Sequence, residues 1–147
     1  RVQRLVARYG LGSQVSFCAH TPHVDQELAA HKIFVMSSFY EGLNLSVLEA
    51  MASGCVVVGS DAVGVRELIH DRVDGLVFKI GDSEHLANII ESILAAPEEF
   101  QSFADKARLK AQQFYDKQHV NQAYQDLLLP LVSVHSNDES HVAHEVG

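Results

Sequence analysis

Two glutamates, Glu41 and Glu49, are the side chains whose type and spacing best suit chemistry in this sequence. Glu49 lies in a segment that is otherwise almost entirely apolar from Leu45 to Ala52, and a helix that is apolar all round is expected to be buried. A carboxylate in a buried helix needs partners, because an isolated buried charge is costly. A pair of sugar hydroxyls would satisfy it, since one carboxylate can accept from both. If the whole stretch were helical, the two glutamates would lie about 12 Å apart along its axis. That is roughly the span from a ribose, past a diphosphate, to a further sugar.

The residues between the two glutamates suit a phosphate group. Gly42 allows the backbone to turn sharply and to approach a ligand closely, and the amides of Leu43, Asn44 and Leu45 then open the helix. A helix N-terminus carries unpaired amides and a partial positive charge, so it can bind phosphate even in a chain of net charge -8. The pattern therefore predicts a diphosphate at the start of this helix.

A second interpretation of the same residues needs no ligand. Ser46 and Glu49 have the spacing of a capping box, in which a serine caps the helix and a glutamate bonds back to the serine's amide. The helix would then begin at Ser46, and Glu41 would be an ordinary acid in a loop. The spacing alone leaves both interpretations open.

Short apolar runs alternate with segments of helical periodicity along the chain. The runs at 33–36 and 55–58 are apolar on both faces, which is typical of parallel strands covered by helices. We therefore predict an α/β fold with a Rossmann-like parallel sheet and helices on both faces. The predicted strands are 15–18, 33–36, 55–58 and 75–80, and the predicted helices are 2–9, 21–31, 45–53, 65–69, 83–94, 98–114 and 117–129.

The same pattern divides the chain into one domain and a tail. The domain is predicted to cover residues 1–132, and the polar, aperiodic stretch 133–147 is predicted to be disordered. A doubly wound domain normally begins with a strand, whereas this sequence begins within a helix. This start indicates that the first strand of the fold is absent or that the sheet is small.

Composition excludes several classes of function. The acidic net charge argues against a nucleic-acid surface, and no apolar run approaches the roughly 18 residues that a membrane-spanning helix needs. Cys18 and Cys55 lie in apolar runs and are predicted to be reduced, buried thiols, as in a cytosolic protein. His141 and His144 have no third ligand at a suitable spacing, so no metal site is predicted.

The segment EGLNLSVLEAMASGCVVVGSDAVGVRELI resembles the donor-binding signature of the retaining glycosyltransferases of family 4, which have the GT-B architecture. The hallmark of that family is a pair of glutamates separated by seven residues and followed by an E-A-M-A-x-G-x-P-V-V-like run. Glu41 and Glu49 fit the pair, and residues 49–54 fit the start of the run. The later stretches 74–77 and 81–82 also resemble the family pattern, so the resemblance covers about residues 14–95.

The resemblance implies a role for each matching residue. It places Glu49 on the ribose hydroxyls, Glu41 against the donor sugar as the catalytic residue, and the amides of Gly42, Leu43, Asn44 and Leu45 on the diphosphate. It also implies, more weakly, that the nucleobase packs near Thr21 and its neighbours His20 and Pro22.

The sequence departs from the family at three places. Glycine is common where Ala19 stands, Phe-Gly is common where Leu43-Asn44 stands, and proline is favoured where Cys55-Val56 stands.

Two parts of such an enzyme are not found in this sequence. The family uses an Arg/Lys pair to neutralise the diphosphate and an N-terminal domain to bind the acceptor, and neither matches any residue here. We therefore expect this chain alone to bind a nucleotide weakly and to transfer nothing. The whole enzyme would transfer a sugar from a nucleotide diphosphate, with retained anomeric configuration, to an acceptor glycan or lipid.

The resemblance also sets expectations for cofactor and location. No D-x-D sequence occurs, so neither a metal nor another cofactor is expected, and the nucleotide sugar is a substrate. A cytoplasmic protein is expected, with peripheral membrane association of the parent left open. The alternatives are a non-catalytic nucleotide-binding module of the same fold, a scaffold domain without a ligand, and a sugar epimerase of GT-B fold, against which the glutamate spacing weighs.

Overall fold

The computed structural model describes residues 2–138, and the side chains of residues 2–129. The structure contains a helix at each predicted helical segment, and it contains three of the four predicted strands. In chain order the elements are α1 (Val2–Arg8), α2 (Val24–Ala29), β1 (Ile33–Met36), α3 (Leu45–Ser53), β2 (Val56–Ser60), α4 (Val63–Arg66), β3 (Leu76–Phe78), α5 (Ser83–Ala95), α6 (Pro97–Phe114) and α7 (Lys117–Asp138).

Within these residues the three strands form one parallel sheet in the order β1-β2-β3. All five residues of β2 are buried, because this strand is central and helices cover both of its faces. Val57 packs into a core with α3, α4 and α6, whereas Val56 and Val58 pack on the other face with β3 and Ile93 of α5. The prediction of an α/β fold with a parallel sheet between helices is confirmed.

The predicted strand at 15–18 is wrong. The amide of Val15 donates to the carbonyl of Leu11 at 3.0 Å, so this segment leaves α1 through a turn. A strand exists only where a neighbour supplies partners for its backbone groups, and residues 2–138 supply none here. Phe17 is 53% exposed, so the apolar character of the run does not reflect burial.

The two cysteine thiols differ in how far they are buried. Both cysteines are free, as predicted, but Cys18 is exposed and only Cys55 is buried. The Sγ atom of Cys55 donates to the carbonyls of Leu28 and His31 at 3.3 and 3.4 Å. Burial raises the pKa of the Cys55 thiol.

Several element boundaries also differ from the prediction. The hydroxyl of Thr21 accepts from the amide of His23 at 3.1 Å, so Thr21 closes a turn and α2 begins only at Val24. Strand β3 ends at Phe78, because the amide of Ile80 donates to the carboxylate of Asp61 at 2.8 Å instead of continuing the ladder.

The end of the chain is helical further than predicted. Helix α7 runs to Asp138, so residues 133–138 are helical where disorder was predicted, and residues 139–147 lie outside the described residues. A sequence without apolar periodicity lacks a buried face, but it can still form an exposed helix. No helix within residues 2–138 is long and apolar enough to cross a bilayer.

A buried ion pair joins α6 to the turn before β3. The Nζ of Lys110 lies 2.8 Å from Oδ2 of Asp74 and donates to the carbonyl of Leu68 at 2.7 Å. Asp74 is 5% exposed and also accepts from the amide of His70 at 2.6 Å. Burial alone would raise the pKa of Asp74, but the bonds from Lys110 and His70 outweigh burial and hold it below its usual value.

Candidate functional site

The N-terminus of α3 is capped by Asn44, and the helix therefore begins at Leu45 as predicted. The Oδ1 atom of Asn44 accepts from the amide of Val47 at 3.1 Å, and Gly54 ends the helix in the left-handed conformation with φ 83°. Ser46 is then the second residue inside the helix and cannot be its cap. This geometry excludes the capping-box interpretation of Ser46 and Glu49.

Replacing Asn44 with alanine should lower the free energy of unfolding by about 1 kcal/mol, because the amide of Val47 loses its acceptor. The matched variant Ser46→Ala changes an exposed side chain two residues further along the chain and should stay within about 0.5 kcal/mol of wild type. Urea denaturation of both variants measures the difference. Equal losses in the two variants would show that Asn44 is not the cap.

The helix start leaves backbone amides available for a ligand. The first amides of a helix have no carbonyl one turn earlier to accept from them, and here the amide of Val47 alone is taken by the cap. Leu43 and Leu45 are each 64% exposed, whereas Asn44 is 6% exposed and its side chain is committed to the cap. Only the backbone of Asn44 remains for the phosphate contact predicted there.

Glu49 lies on the exposed face of α3, so the premise that its helix is buried all round is wrong. The buried face of α3 carries Val47, Ala50 and Met51, while Leu45 and Ala52 are exposed together with Glu49. The prediction of an all-round buried helix fails because the apolar residues on the exposed face line a groove and not the core. Glu49 is thus accessible to a ligand without any cost of burial.

That groove runs between α3 and the junction of α6 and α7, and its volume is about 600 Å³. Leu45 and Glu49 line it from α3, and Tyr115, Asp116 and Lys117 line it from the junction. Sequence reasoning missed the last three as site residues, because their proximity to α3 depends on the packing of α6 against it. Lys117 supplies a positive charge to a groove that otherwise carries two carboxylates.

Glu41 and Gly42 lie in the loop between β1 and α3, at the carboxyl end of the sheet. This is where open parallel sheets bind ligands. Glu41 is partly buried, and a Cβ built on Gly42 would meet no atom within 4 Å, so that side of Gly42 faces open space. The predicted residues do not all share one cavity: Leu45 and Glu49 line the groove, residues 41–44 lie in the loop, and Thr21 lies in the turn before α2.

No group of three potential metal ligands occurs among residues 2–129, whose side chains the structure describes. His141 and His144 lie outside the described residues. The expectation that no metal takes part therefore stays a prediction.

The solved structures to which this chain is similar are GT-B glycosyltransferases. The chain superposes on the HepE protein of Anabaena in complex with UDP-glucose with a TM-score of 0.83 and 28% identity, over 88% of this chain and 36% of that one. It superposes on the sucrose-phosphate synthase of Thermosynechococcus elongatus with a TM-score of 0.85 and 28% identity, over 91% and 34% of the two chains. The parallel sheet and its flanking helices are therefore those of a GT-B glycosyltransferase domain.

The sequence identifies the family more closely. The chain belongs to the glycosyl transferases group 1 family, whose profile matches residues 1–110. It is 30% identical over 127 residues to the lipopolysaccharide core biosynthesis glycosyltransferase LpsE of Rhizobium meliloti, with 86% of this chain and 37% of LpsE covered. It is 31% identical over 117 residues to the D-inositol 3-phosphate glycosyltransferase of Streptomyces griseus, with 77% and 24% covered. The chain spans about a third of the length of the first of these relatives.

Proposed function

We propose that this chain is the nucleotide-sugar-binding part of a retaining glycosyltransferase of family 4. The parent protein would transfer a sugar from a nucleotide diphosphate to an acceptor glycan or lipid that the rest of the protein binds. The observation that carries the proposal is the exposed carboxylate of Glu49 in a groove, on a helix whose first two amides, those of Leu45 and Ser46, have no partner within the described residues. The family membership and the spacing of Glu41 and Glu49 support it.

Each site residue has a distinct role in this proposal. Glu49 accepts from the two ribose hydroxyls, and the amides from Gly42 to Leu45 bind the diphosphate. Glu41 contacts the donor sugar and is the catalytic residue, while Thr21 lies near the base. The HepE protein binds UDP-glucose, and a donor of that class fits these roles.

The chemistry proposed for this site is stabilisation of the leaving group. As the glycosidic bond to the diphosphate breaks, negative charge grows on the phosphate oxygens and positive charge on the sugar. Amides fixed at the start of α3 lower the barrier, because they already point at the growing negative charge and need no reorganisation. The proposal includes no metal, and cations from the rest of the parent would complete the neutralisation.

A titration of the isotope-labelled chain followed by NMR tests the binding step. UDP, GDP and ADP are each added to millimolar concentration, because the chain alone is expected to bind weakly. We expect at least one of them to shift the amide resonances of Leu45, Ser46 and Glu49 in a saturable way, while Glu91 on α5 stays unchanged. If none of the three nucleotides shifts the α3 resonances, the proposal fails.

Transfer is a separate measurement on the full-length protein. The retaining reaction predicts that the product has the same anomeric configuration as the donor. A non-catalytic nucleotide-binding module would give the same titration, but its full-length form would transfer no sugar to any acceptor.

A further inference from the structure

Gly64, in the first turn of α4, packs against the backbone that carries the proposed catalytic residue. It is buried, and a Cβ built on it would lie 2.6 Å from the carbonyl oxygen of Glu41 and would also collide with the carbonyl of Gly42. A real Cβ does not approach backbone atoms so closely. Any side chain at Gly64 would therefore displace the backbone carbonyls of Glu41 and Gly42.

Space is the reason for glycine at this position, and backbone conformation is not. Gly64 lies within the helix Val63–Arg66, so its dihedral angles suit any residue. Gly54 and Gly81 differ, because their φ values of 83° and 80° favour glycine by themselves. The requirement at Gly64 comes from the neighbouring loop alone.

The same loop is fixed at a second point by β2. The hydroxyl of Ser60, which is 1% exposed, donates to the carbonyl of Ser38 at 2.6 Å. Further along, Asn44 fixes the end of the loop through its cap on α3. The segment from Ser38 to Asn44 is thus held by contacts with β2, α3 and α4. On the side of Gly42 where a Cβ would lie, no atom is within 4 Å.

We infer that Gly64 is a positioning residue for the donor site, and that it sets how far the Glu41–Gly42 peptide lies from the first amides of α3. The inference rests on the proposed function. With a methyl group at Gly64, the loop backbone relieves the collision by moving away from α4, and the open side of Gly42 leaves room for that movement. That movement places backbone where the phosphates and the donor sugar would lie, but it leaves Glu49 and its ribose contact unchanged.

The test compares Gly64→Ala with Gly75→Ala in the intact chain. Gly75 is a second tightly packed glycine, where an added Cβ would lie 3.0 Å from the carbonyl oxygen of Val57 and touch neither Glu41 nor Gly42. Both variants should lose stability, so thermal unfolding serves to match them. Binding of uridine, UDP and UDP-glucose, and the guanosine and adenosine equivalents, is followed by NMR.

We expect Gly64→Ala to weaken binding of the nucleotide and of the nucleotide sugar by about tenfold, the effect of losing one charge-assisted hydrogen bond. Affinity for the nucleoside should stay at the wild-type value, and Gly75→Ala should bind all three ligands as wild type does. The amide resonances of Glu41 and Gly42 should shift in Gly64→Ala without any ligand. If Gly64→Ala does not fold, Ser60→Ala, which removes the bond to Ser38, should show the same selective loss.

Three results would overturn the inference. They are an equal loss for nucleoside and nucleotide, an equal loss in Gly75→Ala, and unchanged nucleotide binding in a folded Gly64→Ala or Ser60→Ala chain. Failure of the proposed function is distinguishable, because the wild-type chain would then bind no nucleotide at α3 at all.

Discussion

Replacing Glu49 with alanine should weaken the binding of the nucleoside diphosphate about thirtyfold or more, because the proposed contact with the ribose would lose two charge-assisted hydrogen bonds. The stability of the fold should barely change, since Glu49 is exposed and forms no ion pair within residues 2–129, whose side chains the structure describes. Isothermal titration or NMR measures the affinity, and thermal unfolding measures the stability. This combination of a large binding loss and an unchanged melting temperature separates a ligand contact from a structural role.

The control for Glu49→Ala is Glu91→Ala, which removes an exposed carboxylate from α5. It changes the net charge equally, so it shows how much of the effect is long-range electrostatics. Glu49→Gln keeps the shape but removes the charge, and it should retain part of the affinity. Loss of affinity in Glu91→Ala as large as in Glu49→Ala would contradict the ribose contact.

The largest effect on stability is expected for Lys110→Met. Removal of Lys110 leaves the buried carboxylate of Asp74 with its bond from His70 but without its charged partner, and we expect a loss of about 3 kcal/mol at pH 7. That value is at the lower end of the usual range because the Lys110 side chain is 18% exposed. Lys106→Met is the matched control on the exposed face of the same helix and should stay within about 0.5 kcal/mol of wild type.

The effect of Lys110→Met should depend on pH in a defined direction. The pKa of Asp74 is lowered in the folded chain, so its pair with Lys110 stabilises the fold above the unfolded pKa of about 3.9. This contribution is lost as the pH falls through the folded pKa. Urea denaturation between about pH 7 and 3 should therefore show the two chains converging in acid, and a constant difference would contradict the assignment.

The sequence predicts best where local chemistry alone decides the structure. Helix α3 begins at Leu45 and ends before Gly54 as expected, because the residues that start and end it, Asn44 and Gly54, directly flank it in the sequence. The sequence also predicts strand β2, because a run of valines that is apolar on both faces suits the centre of a parallel sheet. Together with β1, which precedes the loop of Glu41 and Gly42, they predict a candidate site at the carboxyl end of the sheet.

Long-range packing accounts for what the sequence did not reveal. The run from Val15 to Cys18 has the composition of a strand, but composition does not specify a neighbour to pair with. The apolar residues beside Glu49 have the composition of a core, but in the fold they line the open groove between α3 and the junction of α6 and α7. The contact between Gly64 and the Glu41–Gly42 peptide joins segments whose approach no periodicity encodes.

The contrast between the two cysteines leaves the folded chain with one exposed thiol, that of Cys18. Thiolates are the nucleophiles in alkylation, and Cys55 is both shielded and harder to deprotonate. A maleimide dye would therefore attach selectively at Cys18, three residues before the turn that contains Thr21. The native sequence thus already provides an attachment point for a fluorescent reporter next to the segment where a nucleobase is proposed to pack.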